Sequence, residues 1–161
     1  MSNLFGLSEA AAIGLHSCTI MAADPAQVVS ARGIAAAMDI SYDHTVTVLH
    51  RLRQAGILES RQGPQGGFLL AYPPEKMTAL MVFEALEGTL SDRRCLFRSV
   101  KCEDGCRLFG PMLDAVNEMT REFFSQTTLA DLAGKMTVMT DRLELARSGG
   151  RRPGADTAQK E

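Results

Sequence analysis

The sequence predicts a mainly α-helical protein with one small β-hairpin, and three observations carry that prediction. Apolar residues recur at every third or fourth position through most of the chain, which is the helical period. Serine or threonine stands just ahead of several of those runs, where a helix needs an N-cap. The stretch Gln62-Gly63-Pro64-Gln65-Gly66-Gly67 joins two short strand-like runs, and so dense a cluster of glycine and proline marks a hairpin loop. Helix, tight turn, helix and hairpin follow in that order between residues 30 and 70. That order defines a winged helix-turn-helix, whose second helix commonly lies in a DNA major groove. A long amphipathic helix after it, suited to dimerisation, completes the expected architecture.

Composition sets the outer bounds. A chain of 161 residues suits one core better than two, and 45% hydrophobic with 22% charged residues is ordinary for a globular protein. The net charge of −2 excludes a strongly basic nucleic-acid binder, so any DNA reading has to rest on the motif. No apolar run has membrane-spanning length and no basic leader with a small-residue cleavage site is visible, so a cytoplasmic address is expected. Four cysteines in that compartment point to metal or redox chemistry rather than structural disulfides.

The elements follow from local signals. Ser8 caps a first helix running to about Ala23, with Ile13, Leu15, His16, Ile20 and Met21 on its apolar side. Cys18 reads as a small core hydrophobe, and His16 as either a buried, backbone-bonded histidine or a ligand. Asp24-Pro25 breaks that helix. Ser30 caps a helix over 31–38, Asp39-Ile40-Ser41 turns, and Ser41 caps a second helix over 42–55, on which Val46, Leu49 and Leu52 share a face. Gly56 stands where a left-handed C-cap is needed. Strands are expected over 57–61 and 68–70, and Pro73-Pro74 ends the hairpin. A helix over 78–87 closes at Gly88, and a charged loop of unusual length follows to Gly105. Gly110-Pro111 starts the long helix, with Met112, Leu113, Val116, Met119, Phe123 and Phe124 in its apolar stripe. A short capped helix over 127–132 and a last one over 138–145 are expected beyond it. The implied division is 1–74 winged helix-turn-helix, 75–107 linking helix and cysteine loop, 108–146 dimerisation region and 147–161 disordered tail.

Two sets of residues carry chemistry. In the second helix of the motif the first turn normally reads bases, which selects Tyr42, His44 and Thr45 for the groove. Arg51, Arg53 and Arg61 suit phosphate, each with a plain solvated charge as its alternative. Gly63, Gln65 and Gly66 let a wing backbone approach DNA, with a plain hairpin turn as the alternative. Separately, Cys95, Cys102 and Cys106 are spaced C-x6-C-x3-C, among arginines and a lysine that favour the thiolate. Three thiolates suit zinc or an iron–sulfur cluster, and leave a position for a ligand from elsewhere. No phosphate loop, Ser/His/Asp arrangement or paired carboxylate speaks for an enzyme.

The runs 34–35 and 49–58, the wing 63–71, the helix end Ala85-Leu86-Glu87-Gly88, the cysteine loop and residues 128–132 together resemble the Rrf-type family of winged-helix repressors. The resemblance, to IscR- and NsrR-like regulators, covers residues 7–132. It implies a homodimer with swapped long helices, a palindromic double-stranded DNA operator, and a cluster held by the loop cysteines plus a non-cysteine ligand. The cysteine spacing is closest to a redox-responsive subgroup with a 2Fe–2S rather than a 4Fe–4S cluster, with zinc as the alternative. In that subgroup a glutamate and a histidine one turn apart on the first helix are ligands. Here His16 takes the histidine position and Ala12 the glutamate position, which leaves Glu9 or Glu103 as acidic alternatives. The implied function is repression controlled by redox state, nitric oxide or iron–sulfur status. The alternatives are a thiol- or zinc-based sensor on the same scaffold, or a protein-interaction module that does not bind DNA.

Overall fold

The fold is built on α1 (Glu9–Ala22), whose N-cap Ser8 accepts a hydrogen bond from the Ala11 amide. In the computed structural model, residues 7–63, 66–89 and 110–136 are described. Most of the circumference of α1 is buried, including Ala11, Ile13, Gly14, Ser17, Cys18, Ile20 and Met21. An all-round buried helix is a central one. The two buried hydroxyls cost little because they return to the helix backbone: Ser17 donates to the Ile13 carbonyl and Thr19 to the Leu15 carbonyl.

Two helices follow, of which the second packs against α1 and the first against the second. α2 (Ala31–Met38) is capped by Ser30 and stops at Asp39, which adopts the left-handed conformation with φ 56°. An aspartate tolerates that region better than most side chains. Ser41 then caps α3 (Tyr42–Gln54), which buries Thr45, Val48, Leu49 and Leu52. The buried set keeps the helical period but is shifted from the expected face: Val46 is only half-buried and Thr45 takes its place inside. Gly56 has φ 75°, and the bonds Gly56 N–H to Arg53 and Ile57 N–H to Leu52 close a Schellman cap.

The wing is β1 (Leu58–Arg61) paired antiparallel with β2 (Gly67–Leu70), in the register Leu58 with Leu70 and Arg61 with Gly67. A third piece, Val29, bonds Phe68 in both directions at 2.9 Å. A Cβ on Gly67 would stand 2.5 Å from the Val29 carbonyl oxygen, so glycine is required for that approach. A single 3-10 turn at Pro74–Lys76 leads into α4 (Ala79–Glu87), capped by Thr78 and ended by Gly88 with φ 80°.

After the undescribed residues 90–109 come α5 (Gly110–Gln126) and α6 (Leu129–Lys135). α5 buries none of its residues, and Met112, Met119 and Phe123 are exposed. Phe124 rests its ring 5.5 Å from Phe83 of α4. The turn into α6 pairs with the start of α4: Leu129 N–H bonds Met77 and Ala79 N–H bonds Thr127. Leu129 is fully buried in the same core as Met77, Val82 and Leu49, so residues on either side of position 74 share one interior. The expected helix over 138–145 and the tail over 147–161 lie outside the described residues.

Candidate nucleic-acid interface and ligand site

The base-reading end of the motif is built by the cap of α3. Ser41 accepts from the His44 amide at 3.4 Å, which leaves the other first-turn amides pointing out of the helix start. An open helix start favours phosphate. Tyr42 is half-exposed there, and its ring is covered by Arg32 of α2, whose guanidinium carbon lies 5.7 Å from the ring centre. That stacking holds the tyrosine with little loss of reach. His44 keeps a partly open side chain, with Nδ1 3.9 Å from the Glu9 carboxylate of α1. Thr45 is a correction. It is fully buried, and its hydroxyl donates to the Ser41 carbonyl at 2.8 Å, so it supports the helix start and reads nothing.

The arginines also separate. Arg53 donates to the Ser60 hydroxyl at 3.3 Å, joining α3 to the wing at the surface. Arg61 ends β1 with an exposed side chain. Arg51 instead donates from Nη2 to the Leu86 carbonyl of α4. Further along, His50 meets Phe68 edge-on at 5.8 Å, so the wing is fastened along α3 by ring packing as well. At the wing tip Gly63 has φ 115°, a conformation that favours glycine, and Gly66 donates back to the Gly63 carbonyl at 2.9 Å. Gln65 lies outside the described residues. Arg32 was not among the expected contacts. It stands in the first turn of the first motif helix, which in helix-turn-helix proteins generally crosses the DNA backbone.

The ligand site is only partly in view. Cys95, Cys102, Cys106 and Glu103 lie outside the described residues. His16 is exposed rather than buried, and its Nδ1 lies 2.8 Å from the Ala12 carbonyl. A carbonyl only accepts, so Nδ1 carries a proton, and in a neutral ring Nε2 keeps the lone pair. A histidine in that tautomer can offer Nε2 to a metal. His16 borders a cleft of about 330 Å³ walled by Leu15, Phe123, Phe124, Leu132 and Met136. Glu9 is not brought to it: seven residues of helix separate them by about 10 Å along the axis, and its carboxylate faces His44. Cys18, fully buried, has its thiol pushed up to about 12 by burial, which makes it inert core filling. Among the described residues no group of three or more metal-ligating side chains converges, and no helix is long and apolar enough to cross a membrane.

Comparison with known proteins agrees with this geometry. The family model Rrf2, described as iron-dependent transcriptional regulator, matches residues 7–135. The HTH-type transcriptional regulator BadM of Rhodopseudomonas palustris is 37% identical over 83 residues, 52% of this chain and 53% of its own length. The chain thus spans about half of that relative. The HTH-type transcriptional regulator NsrR of Halalkalibacterium halodurans is 30% identical over 106 residues, 64% of this chain and 72% of that protein. Among solved structures, CymR, the global cysteine regulator of B. subtilis, superposes with a TM-score of 0.64 at 26% identity, over 84% of this chain and 98% of that one. A helix-turn-helix with an open first turn, a glycine wing and a family match over four-fifths of the sequence converge on one conclusion: the chain belongs to the Rrf2 family and is a winged-helix transcriptional regulator rather than an enzyme.

Proposed function

We propose that this chain is a homodimeric repressor of palindromic operators whose affinity is set by an iron–sulfur group sensing redox state, nitric oxide or iron–sulfur status. The observation that carries the DNA half is the open start of α3, where Tyr42 and His44 stand clear of the core beside an arginine-flanked wing. Tyr42 and His44 read base edges; Arg53, Arg61 and Arg32 sit on phosphates; Gly63, Gln65 and Gly66 bring the wing backbone to the groove. The exposed methionines of α5 supply the apolar face for a second copy. The place of action is the cytoplasm, where the DNA of a bacterium lies.

For the sensing half, the donor set is three thiols and one imidazole: Cys95, Cys102, Cys106 and His16. Of this set the structure describes His16, whose Nδ1 is engaged by the Ala12 carbonyl, which leaves Nε2 as the nitrogen for a metal. Such a donor set suits a 2Fe–2S centre, with zinc as the second choice. A bound cluster supplies a group that oxidant or nitric oxide can alter. The protein's part is to keep His16 in the ligating tautomer and to place it on α1, the helix against which α3 and α4 both pack. A second reading has its own support: likeness to a global cysteine regulator favours sensing by the thiols themselves.

Protein prepared without oxygen tests both. The expected result is a coloured dimer with iron and sulfide, whose promoter affinity changes on exposure to air or nitric oxide, and a colourless, unresponsive Cys106→Ala variant. Zinc without iron selects the zinc reading. Metal-free protein whose response reverses with added thiol selects the second. Absence of salt-dependent binding to promoter DNA overturns the regulator's DNA role altogether.

A further inference from the structure

We infer that Arg51 is a positioning residue, a strut from the reading helix to the end of α4, and not a phosphate contact. The inference rests on the DNA-binding reading above and concerns how that site is held.

The last turn of α4 contains no cation of its own, and its final carbonyls have no partner within the helix. Arg51 fills that need from another element, donating from Nη2 to the Leu86 carbonyl. A guanidinium at a helix C-terminus is favoured by both the hydrogen bond and the helix dipole. The same turn is fastened twice more. The Leu86 side chain fills the notch left by Gly14 of α1, where a Cβ would overlap it. Glu87 accepts from the hydroxyl of Ser8, the cap of α1. Glu9, the next residue, faces His44 at the start of α3. Two adjacent residues of α4 therefore reach α3 near both of its ends, through Arg51 directly and through the start of α1 indirectly.

The chain leaves this junction at Gly88, and Cys95 follows seven residues later. Any displacement of the end of α4 acts on the reading helix through a bonded cation, which has a defined direction, and not only through packing. The bond to Leu86 takes one of the guanidinium's five N–H donors and ties the side chain to α4.

The test compares full-length wild type, Arg51→Met, Arg51→Lys and Arg61→Met on a duplex selected from a random pool by the wild-type protein. If Arg61 lies on phosphate, Arg61→Met lowers the slope of log affinity against log salt by about one per site. Arg51→Met is expected to keep the wild-type slope. Its ratio of affinities between oxidant-treated and reductant-treated protein, about 5- to 150-fold for coupled sites, should fall toward one. Arg51→Lys restores the ratio in part, because an ammonium still donates to a carbonyl. A slope lowered in Arg51→Met as in Arg61→Met, or an undiminished ratio, overturns the strut. Hydrogen exchange gives a readout that needs no DNA: Arg51→Met should speed exchange in the last turn of α4 and in α3 together. Unchanged exchange there overturns the inference, whereas wild type that fails to bind DNA while exchange responds overturns only the DNA role.

Discussion

α3 and α5 are both amphipathic, yet they treat their apolar stripes in opposite ways. The shorter α3 buries Thr45, Val48, Leu49 and Leu52 within its own chain. The longer α5 buries nothing, and Met112 and Met119 are 52% and 71% exposed. Phe124 rests on Phe83, but among the described residues nothing covers Met112, Met119 and Phe123, and an apolar stripe of that kind favours a partner surface. The contrast teaches that α3 belongs to the monomer's core, while α5 carries the face that the proposed dimer would cover.

The strongest way to break that contrast is to charge the open stripe. Met112→Glu with Met119→Glu should yield a folded monomer by light scattering. Its operator affinity should fall by about 10²- to 10⁴-fold, because two half-sites are no longer read by one linked particle. A variant that stays dimeric removes α5 from the interface. Next in size is the closed stripe. Leu49→Ala leaves a cavity in a fully packed core and should cost about 2–5 kcal/mol in denaturant unfolding, with Leu49 wholly buried. A loss under about 1 kcal/mol would mean that the core closes up around the gap.

The same contrast explains which parts were legible in the sequence. Caps and stops are local chemistry, so Ser8, Ser30, Ser41, Thr78 and Gly56 were readable, and each does what its position demands. Contacts made across the chain were not. Nothing near Val29 announces that it will bond Phe68, nor does Leu129 announce that it crosses back into the first core. Arg51 looks like any helix-surface cation until its partner, 35 residues away, is placed. Thr45 is illegible for a different reason: polarity predicts an outward residue, but a hydroxyl bonded to the carbonyl four residues back is satisfied inside. For His16 the two readings, backbone-bonded core histidine or ligand, divide differently in the structure: the bond to the backbone is there, but the side chain is exposed.

Thr45 and Tyr42 sharpen the comparison within α3 itself. Tyr42→Ala should weaken binding to the preferred duplex by about 1–3 kcal/mol while leaving mismatched duplexes less affected. Thr45→Val should leave sequence preference unchanged and alter unfolding by about 1 kcal/mol. A changed base preference in Thr45→Val would require the start of α3 to open on DNA.

The smallest effect falls on one thiol, where the contrast between closed and open surfaces recurs. Burial raises the Cys18 thiol from its ordinary 9.0 to about 12, because an anion there would be stripped of solvent. Well below pH 9 the thiol is neutral in both folded and unfolded chains, so its ionisation has no bearing on stability. Above it, the unfolded thiol ionises while the folded one stays protonated, so stability is lost progressively as pH rises toward about 12. Wild type should therefore lose denaturant resistance above pH 9 faster than Cys18→Ala, although the alanine variant starts lower for want of packing. At pH 8 the folded chain should leave Cys18 unalkylated. The three cysteines of C-x6-C-x3-C, set among Arg93, Arg94, Arg98 and Lys101, should react once any bound metal is removed. Alkylation of Cys18 at the same rate as the others would mean that α1 opens in the native state, and the helix taken as the centre of the fold would not be its most protected part.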